Sequence, residues 1–382
     1  MKNAFGRSAM ILLLTATTLA GAACSDSDSE SPPPTSPELD AAEIAAIEAR
    51  ADEVVAAGVP GVALVIQAGD QTIRIARGVE DLATGAPMTP DHHFREGSVA
   101  KSILSSIVLQ LVDEGRLRLS DTVESLLPGM VAGNSQATIE QLMRLQSGIY
   151  DHVNDPRYLE PYLGGNFEYV YTPLQLLALS NDHPPVFAPG ERFMYTNTNY
   201  TIIGLIIEKL TGMPLAQVAA QRITRPLGMT QTTMPLDSDM PSPYAHGYLV
   251  GMGEPMDVTR ISASSTFGHG NIVSTASDLN TFYAALVAGK VVNPARLEAM
   301  FTPDPTIDTH YGMGVWVWDD FPCGAWVGHD GSTAGYDIYS YSRRDGRRQL
   351  TVQINSLTGD DKAGGEAAQA AWKNLIVAAA CS

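Results

Sequence analysis

Strand-like segments occur at both ends of this chain, with helix-like ones between them. VALVIQA at 62–68 and TIRIAR at 72–77, joined through GDQ, read as a β-hairpin of apolar, β-branched residues. The pattern returns at 326–329, 336–342 and 349–355, with RRDGR as a turn. Between the two strand groups the period changes to that of helices. Residues 102–114 carry Ile103, Leu104, Ile107, Val108, Leu111 and Val112, an apolar surface wide enough to be buried on most sides, with Gly115 as its stop. Helices are also expected at 201–210, ended by Gly212 and Pro214, and at 276–287. Segments 40–57, stopped by Gly58, and 363–380 are helical in composition and flank the strands. Strands and a helix at both ends suggest one lobe built from both ends. An α+β fold follows: an antiparallel sheet flanked by helices (about 41–97 and 290–382) with an inserted, mostly helical lobe (about 98–289). The 382 residues are 45% hydrophobic and 17% charged, which suits the large core such a fold needs.

The first 23 residues are expected to lie outside that fold. Lys2 and Arg7 precede a short apolar run, 10–20, and the small residues Gly21, Ala22 and Ala23 lead to Cys24. The pattern is that of an export signal, too short and wrongly flanked to be a spanning helix. It resembles a bacterial lipobox, with Gly21 where an aliphatic residue is usual, so Cys24 is the expected lipid attachment point; ordinary cleavage with an incidental Cys24 is the alternative. Residues 24–40, rich in Ser, Asp, Glu, Pro and Thr, read as a disordered tether. A lipoprotein anchored in the cell envelope, facing the periplasm, is therefore expected. The formal net charge of −18 argues against nucleic acid as a partner. In an oxidising compartment Cys323 and Cys381 are expected to pair, two lone buried thiols being the alternative.

Several kinds of site are absent. There is no Gly-x-Ser-x-Gly, no His-Glu-x-x-His, no cysteine pair at zinc spacing and no phosphate-cradling glycine loop. His92-His93 reads as a surface pair, so no metal or cofactor is expected. What remains is Ser98-Val99-Ala100-Lys101. Residues three apart share one helix face, so hydroxyl and amine would be neighbours, and burial would lower the amine's pKa toward that of a base. Ser98 would also lie at a helix N-terminus, whose free N–H groups suit an oxyanion. The plainer reading has Ser98 capping the helix and Lys101 in solvent. Tyr195-Thr196-Asn197 precedes an apolar helix: a tyrosine beside a lysine can move protons, and Asn197 offers both donor and acceptor. A turn with its own Asn hydrogen bonds is the alternative. His329-Asp330-Gly331 follows a strand, with Gly331 and Ser332 able to present backbone N–H groups. A second such motif, His310-Tyr311-Gly312, is set aside because His329 lies between a strand and a hairpin.

In this order the three motifs resemble the signature of the penicillin-recognising serine hydrolases: class C β-lactamases, D-alanyl-D-alanine carboxypeptidases, and related esterases and D-aminopeptidases. The likeness covers roughly residues 45–381. LQLVDEGRLRLSDTV (109–123), LQSGIYDHVND (145–155), YTNTNYTIIGLIIEKLTG (195–212) and IVSTASDLNTF (272–282) resemble stretches of the secreted single-domain carboxypeptidase/transpeptidase, which also has a disulfide where Cys323 and Cys381 fall. The resemblance implies a β-lactamase/transpeptidase-like fold and an acyl-enzyme on Ser98. It implies that Lys101 and Tyr195 share proton handling and that Asn197 and His329 hold the network. The Ser98 and Ser332 N–H groups would form the oxyanion hole, and the substrate would be a small peptide, ester or β-lactam.

Two departures bear on substrate. Asp330 stands where the resembling carboxypeptidase has a neutral hydroxyl residue, and a carboxylate there would repel a substrate carboxylate. VWVWDDFP (315–322) has no arginine, and Val317 occupies the expected place of a carboxylate-binding one. Asp330 could instead pair with His329 or Arg260, or point outward. Against the expected carboxypeptidase stand an esterase, D-aminopeptidase or β-lactamase of the same family. A non-catalytic envelope binding or sensor module that keeps the fold is the reading from a different class.

Overall fold

A computed structural model describes residues 38–250, 253–358 and 365–382. The expected signal, Cys24 and most of the expected tether lie outside the described residues. The last part of that tether is in the fold: Leu39 is buried, and its backbone N–H and carbonyl both bond the Gln71 side chain. One apolar residue beside a capping aspartate was enough to extend the domain, since Asp40 caps the first helix with a reciprocal bond from Glu43.

The N-terminal elements are α1 (Ala41–Ala56), β1 (Gly61–Ala68), β2 (Gln71–Asp81) and the short β3 (Ala86–Pro87). The C-terminal ones are β4 (Trp316–Trp318), β5 (Trp326–Thr333), β6 (Tyr336–Arg343), β7 (Arg348–Ile354) and a closing helix, Gly365–Cys381. They form one seven-stranded antiparallel sheet in the order β3-β2-β1-β7-β6-β5-β4. The join between the two ends is β1 against β7, with Val62 opposite Ile354 and Ala68 opposite Arg348. Both strands are central and buried on both faces; β1 reads as a near-continuous apolar run, while β7 alternates apolar residues with buried polar ones, Gln349, Thr351 and Gln353, that are hydrogen-bonded in place.

One face of the sheet packs under α1 and the closing helix through Ile47, Val54, Leu64, Val352 and Leu375. The Cys323–Cys381 disulfide ties that helix to the loop before β5, with Cα atoms 5.2 Å apart. The other face, with Val327, Tyr336 and Ile338, meets the helical segments: α2 (Ala100–Asp113), α3 (Thr198–Thr211) and α4 (Ala276–Val287). α2 is buried at eleven of its fourteen positions, Lys101, Ser102, Ser105 and Ser106 among them. Its serines are satisfied in place: Ser102 donates to the Gly314 carbonyl at 2.7 Å and Ser105 meets the Tyr200 hydroxyl at 2.9 Å.

His92 and His93 are both buried, which corrects their reading as a surface pair. Local partners bring them in: His92 Nε2 lies 2.7 Å from Glu80, and His93 Nδ1 lies 2.8 Å from the Pro243 carbonyl. Among the described residues no cluster of His, Cys, Asp or Glu has the arrangement of a metal site.

Candidate active site

Ser98 sits in a 3-10 turn, Gly97–Val99, that leads directly into α2. Ser98 is not the capping residue: Glu96 and Val99 hold the N-cap positions of the turn and of α2. Lys101, one turn on, is 0% exposed, so the reading of a capping serine with a solvated lysine does not hold. Lys101 Nζ donates to Ser98 Oγ at 2.9 Å, Asn197 Oδ1 at 3.0 Å and the His269 carbonyl at 3.0 Å. A buried ammonium is costly unless it is hydrogen-bonded, and these three acceptors satisfy its three N–H groups.

Asn197 is held at the start of α3, where it aims its carbonyl oxygen at Lys101 and donates Nδ2 to Asp151 Oδ2 at 3.1 Å. Two residues earlier, the half-buried Tyr195 places its ring centroid 4.8 Å from Lys101 Nζ. The expected trio of Ser98, Lys101 and Tyr195 is therefore assembled, with Asn197 beside it.

The third motif reaches the site from β5. β4 pairs only with Trp326, Val327 and Gly328, so β5 extends past its edge neighbour from His329 onward. Glycines allow that strand to touch the nucleophile turn. A Cβ on Gly331 would lie 2.0 Å from the Glu96 carbonyl oxygen. Gly97 has φ +51°, and a Cβ there would lie 3.0 Å from the Ser332 nitrogen. The backbone of Ser332 is thus brought against the turn that carries Ser98, the two residues whose N–H groups are expected to form the oxyanion hole.

His329 is 1% exposed. Its Nδ1 lies 2.5 Å from the Asp330 carbonyl oxygen and its Nε2 lies 3.0 Å from the Tyr311 hydroxyl. A carbonyl can only accept, so Nδ1 carries the proton; in the neutral ring Nε2 then accepts from Tyr311. The imidazole ring stands 6.3 Å from the Tyr195 ring, centroid to centroid. The motif set aside in the sequence, His310-Tyr311-Gly312, thus supplies a site residue after all, through its tyrosine; His310 itself stacks on Trp318.

Asp330 does not pair with Arg260, whose guanidinium bonds Glu168 and Asp239 instead. Its carboxylate is 61% exposed and lies 3.6 Å from His329 Nδ1. Val317 is buried in the apolar core, so β4 presents no cation to the site from that position.

Sequence reasoning passed over several polar groups that the fold brings here. Asp151 and His152 lie in the quoted stretch 145–155, yet nothing local marks them as site residues. Glu96 is buried, bonded by Gln353 at 2.6 Å, and burial pushes its carboxyl well above the usual range. His152 is also buried, 5.2 Å from the His269 ring, centroid to centroid. Thr198 donates its hydroxyl to the Tyr150 carbonyl and therefore accepts from His152 Nδ1 at 2.9 Å. Burial, aided by the charge of Lys101, lowers the His152 pKa to about 3. A histidine held neutral in this way stabilises the fold fully above its unfolded pKa of about 6.5, and that contribution drains away as pH falls toward about 3. His152→Asn keeps a donor for Thr198 but does not titrate. Relative to it, the wild type is expected to lose up to about 1.4 kcal/mol per pH unit across that window. Parallel stability-versus-pH curves from denaturant melts would refute the assignment.

Comparisons with known proteins identify the family. The family model described as Beta-lactamase matches residues 44–371. Penicillin-binding protein 4 of Amycolatopsis lactamdurans is 28% identical, over 75% of this chain and 77% of that protein. Esterase EstB of Burkholderia gladioli is 32% identical, over 64% of each. The crystal structure of a D-stereospecific amidohydrolase from Streptomyces sp. superposes with a TM-score of 0.77 at 31% identity, covering 88% of this chain and 98% of that one. With the match spanning most of the chain, and with antiparallel sheet and helices arranged as in those relatives, this protein belongs to the Beta-lactamase family and is a serine hydrolase of the β-lactamase and penicillin-binding-protein kind.

Proposed function

We propose that the protein hydrolyses small amides or esters through an acyl-enzyme on Ser98, and that it favours acyl-donor substrates whose leaving end bears no free carboxylate. A D-amino-acid amide or a short D-peptide amide fits best. The observation that carries the reaction type is the Lys101 Nζ to Ser98 Oγ contact of 2.9 Å inside a buried site. Lys101 acts in its neutral form, having given up the proton it directs at Ser98 Oγ; its lone pair takes the Ser98 proton as Oγ attacks the substrate carbonyl, and the Ser98 and Ser332 N–H groups receive the oxyanion. Tyr195, beside Lys101, relays a proton to the leaving group, and water then releases the acyl group. The substrate lies along β5 beyond Gly328, where the strand has run past β4.

The substrate preference rests on charge. Asp330 puts an exposed carboxylate on that strand, Val317 is buried, and Arg260 is occupied by two acidic partners. The likeness to a D-stereospecific amidohydrolase points the same way. A D-alanyl-D-alanine carboxypeptidase is the second reading, favoured by the likeness to penicillin-binding protein 4 over three quarters of the chain.

Comparing kcat/KM for a D-Ala-D-Ala peptide and its C-terminal amide separates the two. The amide is expected to be the better substrate, and Asp330→Ser should raise the free acid relative to the amide by about tenfold. That is the size of one charge–charge contact of about 1.4 kcal/mol at a partly wet site. A free acid that is clearly preferred by the wild type would establish the carboxypeptidase instead.

A further inference from the structure

Asp151 is a buried carboxylate that the acylation scheme does not use. It stands just before a short 3-10 turn, His152–Asn154, and faces the start of α3. Three consecutive residues of that start are tied to its loop. Asn197 Nδ2 donates to Asp151 Oδ2 at 3.1 Å. Thr198 Oγ1 donates to the Tyr150 carbonyl and accepts from the His152 N–H, both at 2.9 Å. Ser147 Oγ donates to Asn199 Oδ1 at 2.6 Å. Asp151 is therefore held against Asn197 by bonds on either side of it.

An amide side chain has an accepting end and a donating end, whereas a carboxylate only accepts. Asp151 thus decides which way round Asn197 sits. With Nδ2 drawn to Asp151, Oδ1 must face Lys101, as it does at 3.0 Å. The opposite orientation would set oxygen against carboxylate and NH₂ against the amine. The consequence reaches Ser98. Of the three acceptors around Lys101, Asn197 Oδ1 and the His269 carbonyl can only accept, while the Ser98 hydroxyl can also donate. A neutral amine that gives its two N–H groups to those carbonyl oxygens keeps its lone pair for the Ser98 proton.

We propose that Asp151 is a positioning residue for acylation: by accepting from Asn197 it holds the Asn197 carbonyl on Lys101 and so aims the amine lone pair at Ser98. The inference rests on the acyl-enzyme reading of Ser98 and Lys101. The other titratable groups around the amine come from separate elements. Tyr195 and Tyr200 have ring centroids 4.8 and 5.7 Å away, His152 is close enough for its charge to be felt, and His269 lends its carbonyl. Tyr200 is pushed upward by burial and His152 downward, which takes both out of the neutral range.

Three proteins test the role: wild type, Asp151→Asn and Asp151→Ala. The readouts are acylation by p-nitrophenyl acetate and by a fluorophosphonate from pH 5 to 10, together with thermal melts. Asparagine keeps an acceptor for Asn197 but removes the charge. Its plateau rate should stay within about fivefold of wild type while the acid limb moves to lower pH, because an opposite charge near Lys101 favours the protonated amine. Alanine frees Asn197 to turn, and its plateau should fall about 10²-fold with the probe's KM little changed. An alanine variant within threefold of wild type overturns the inference, as does an Asp151→Asn limb that stays at the wild-type pH. If alanine does not fold, the asparagine limb alone decides. A wild type that gains no Ser98 adduct removes the acyl-enzyme reading and this inference with it. An adduct on Ser98 together with indifferent Asp151 variants removes this inference alone.

Discussion

Ser98→Ala is expected to cut hydrolysis of an activated ester by about 10⁴-fold or more and to abolish covalent labelling by a fluorophosphonate or a penicillin. The size follows from the chemistry: removing a nucleophile that forms a covalent intermediate leaves only binding and oxyanion stabilisation to act on water. The fold should tolerate the change. Ser98 is 8% exposed, it holds neither N-cap position, and what is lost is one hydrogen bond from Lys101, of about 1 kcal/mol. Lys101 keeps Asn197 Oδ1 and the His269 carbonyl as acceptors. The measurement is intact-protein mass after labelling, followed by peptide mapping, alongside the esterase rate. A variant that keeps more than a tenth of the activity, or a wild-type adduct mapped to Ser332 in place of Ser98, would show that the nucleophile has been misassigned.

Lys101 should be nearly as sensitive, for two separable reasons. Lys101→Met has a similar length and no charge, so it removes the proton acceptor; acylation is expected to fall about 10³- to 10⁴-fold. It also leaves Asn197 Oδ1 and the His269 carbonyl, both buried beside it, without their donor. Each orphaned acceptor costs about 1–3 kcal/mol, so the melting temperature should drop as well. Lys101→Arg separates the two effects. A guanidinium can still donate to those acceptors but stays charged at any accessible pH and cannot take a proton from Ser98. Its activity should therefore stay low over the whole pH range. An arginine variant with more than a tenth of wild-type acylation would mean that Lys101 acts only as a fixed charge, and the base would then have to be sought at Tyr195.

Much of this architecture was legible in the order of the residues. The hairpin of β1 and β2, the helical period of α2 with Gly115 after it, and α4 over Ala276–Val287 are local patterns, and each was found where the period placed it. The expected start of β5 was right, but its end was four residues short because 330–333 are polar. Those residues lie where the strand runs past β4, so the apolar alternation that marks a buried strand is lost there. His92 and His93 misled for a related reason. Their burial depends on Glu80 and on the carbonyl of Pro243, partners that no local pattern announces.

The site divides in the same way. The sequence set Ser98 and Lys101 one turn apart, whatever surrounds them, while the burial that makes them partners came from the fold. Asp151 and Tyr311 had no such local placement. Asp151 matters only because Thr198 and Asn199 tie its loop to α3, and Tyr311 only because β5 passes beside it. The substrate end is also a tertiary matter: the sequence left open whether Asp330 pairs with Arg260, and the fold answers by spending Arg260 on Glu168 and Asp239 and leaving Asp330 exposed beside His329. By itself, then, the sequence determined the main element types, the meeting of the two chain ends in one sheet and the one-turn spacing of Ser98 and Lys101, because periodicity and short covalent spacing act over a few residues. Only the tertiary structure decided which way Asn197 faces, what charge stands beside His329 and what holds Lys101 in the dry interior. Those depend on groups up to 168 residues apart, such as the Lys101 amine and the His269 backbone carbonyl, whose proximity is set by packing across the sheet and helices.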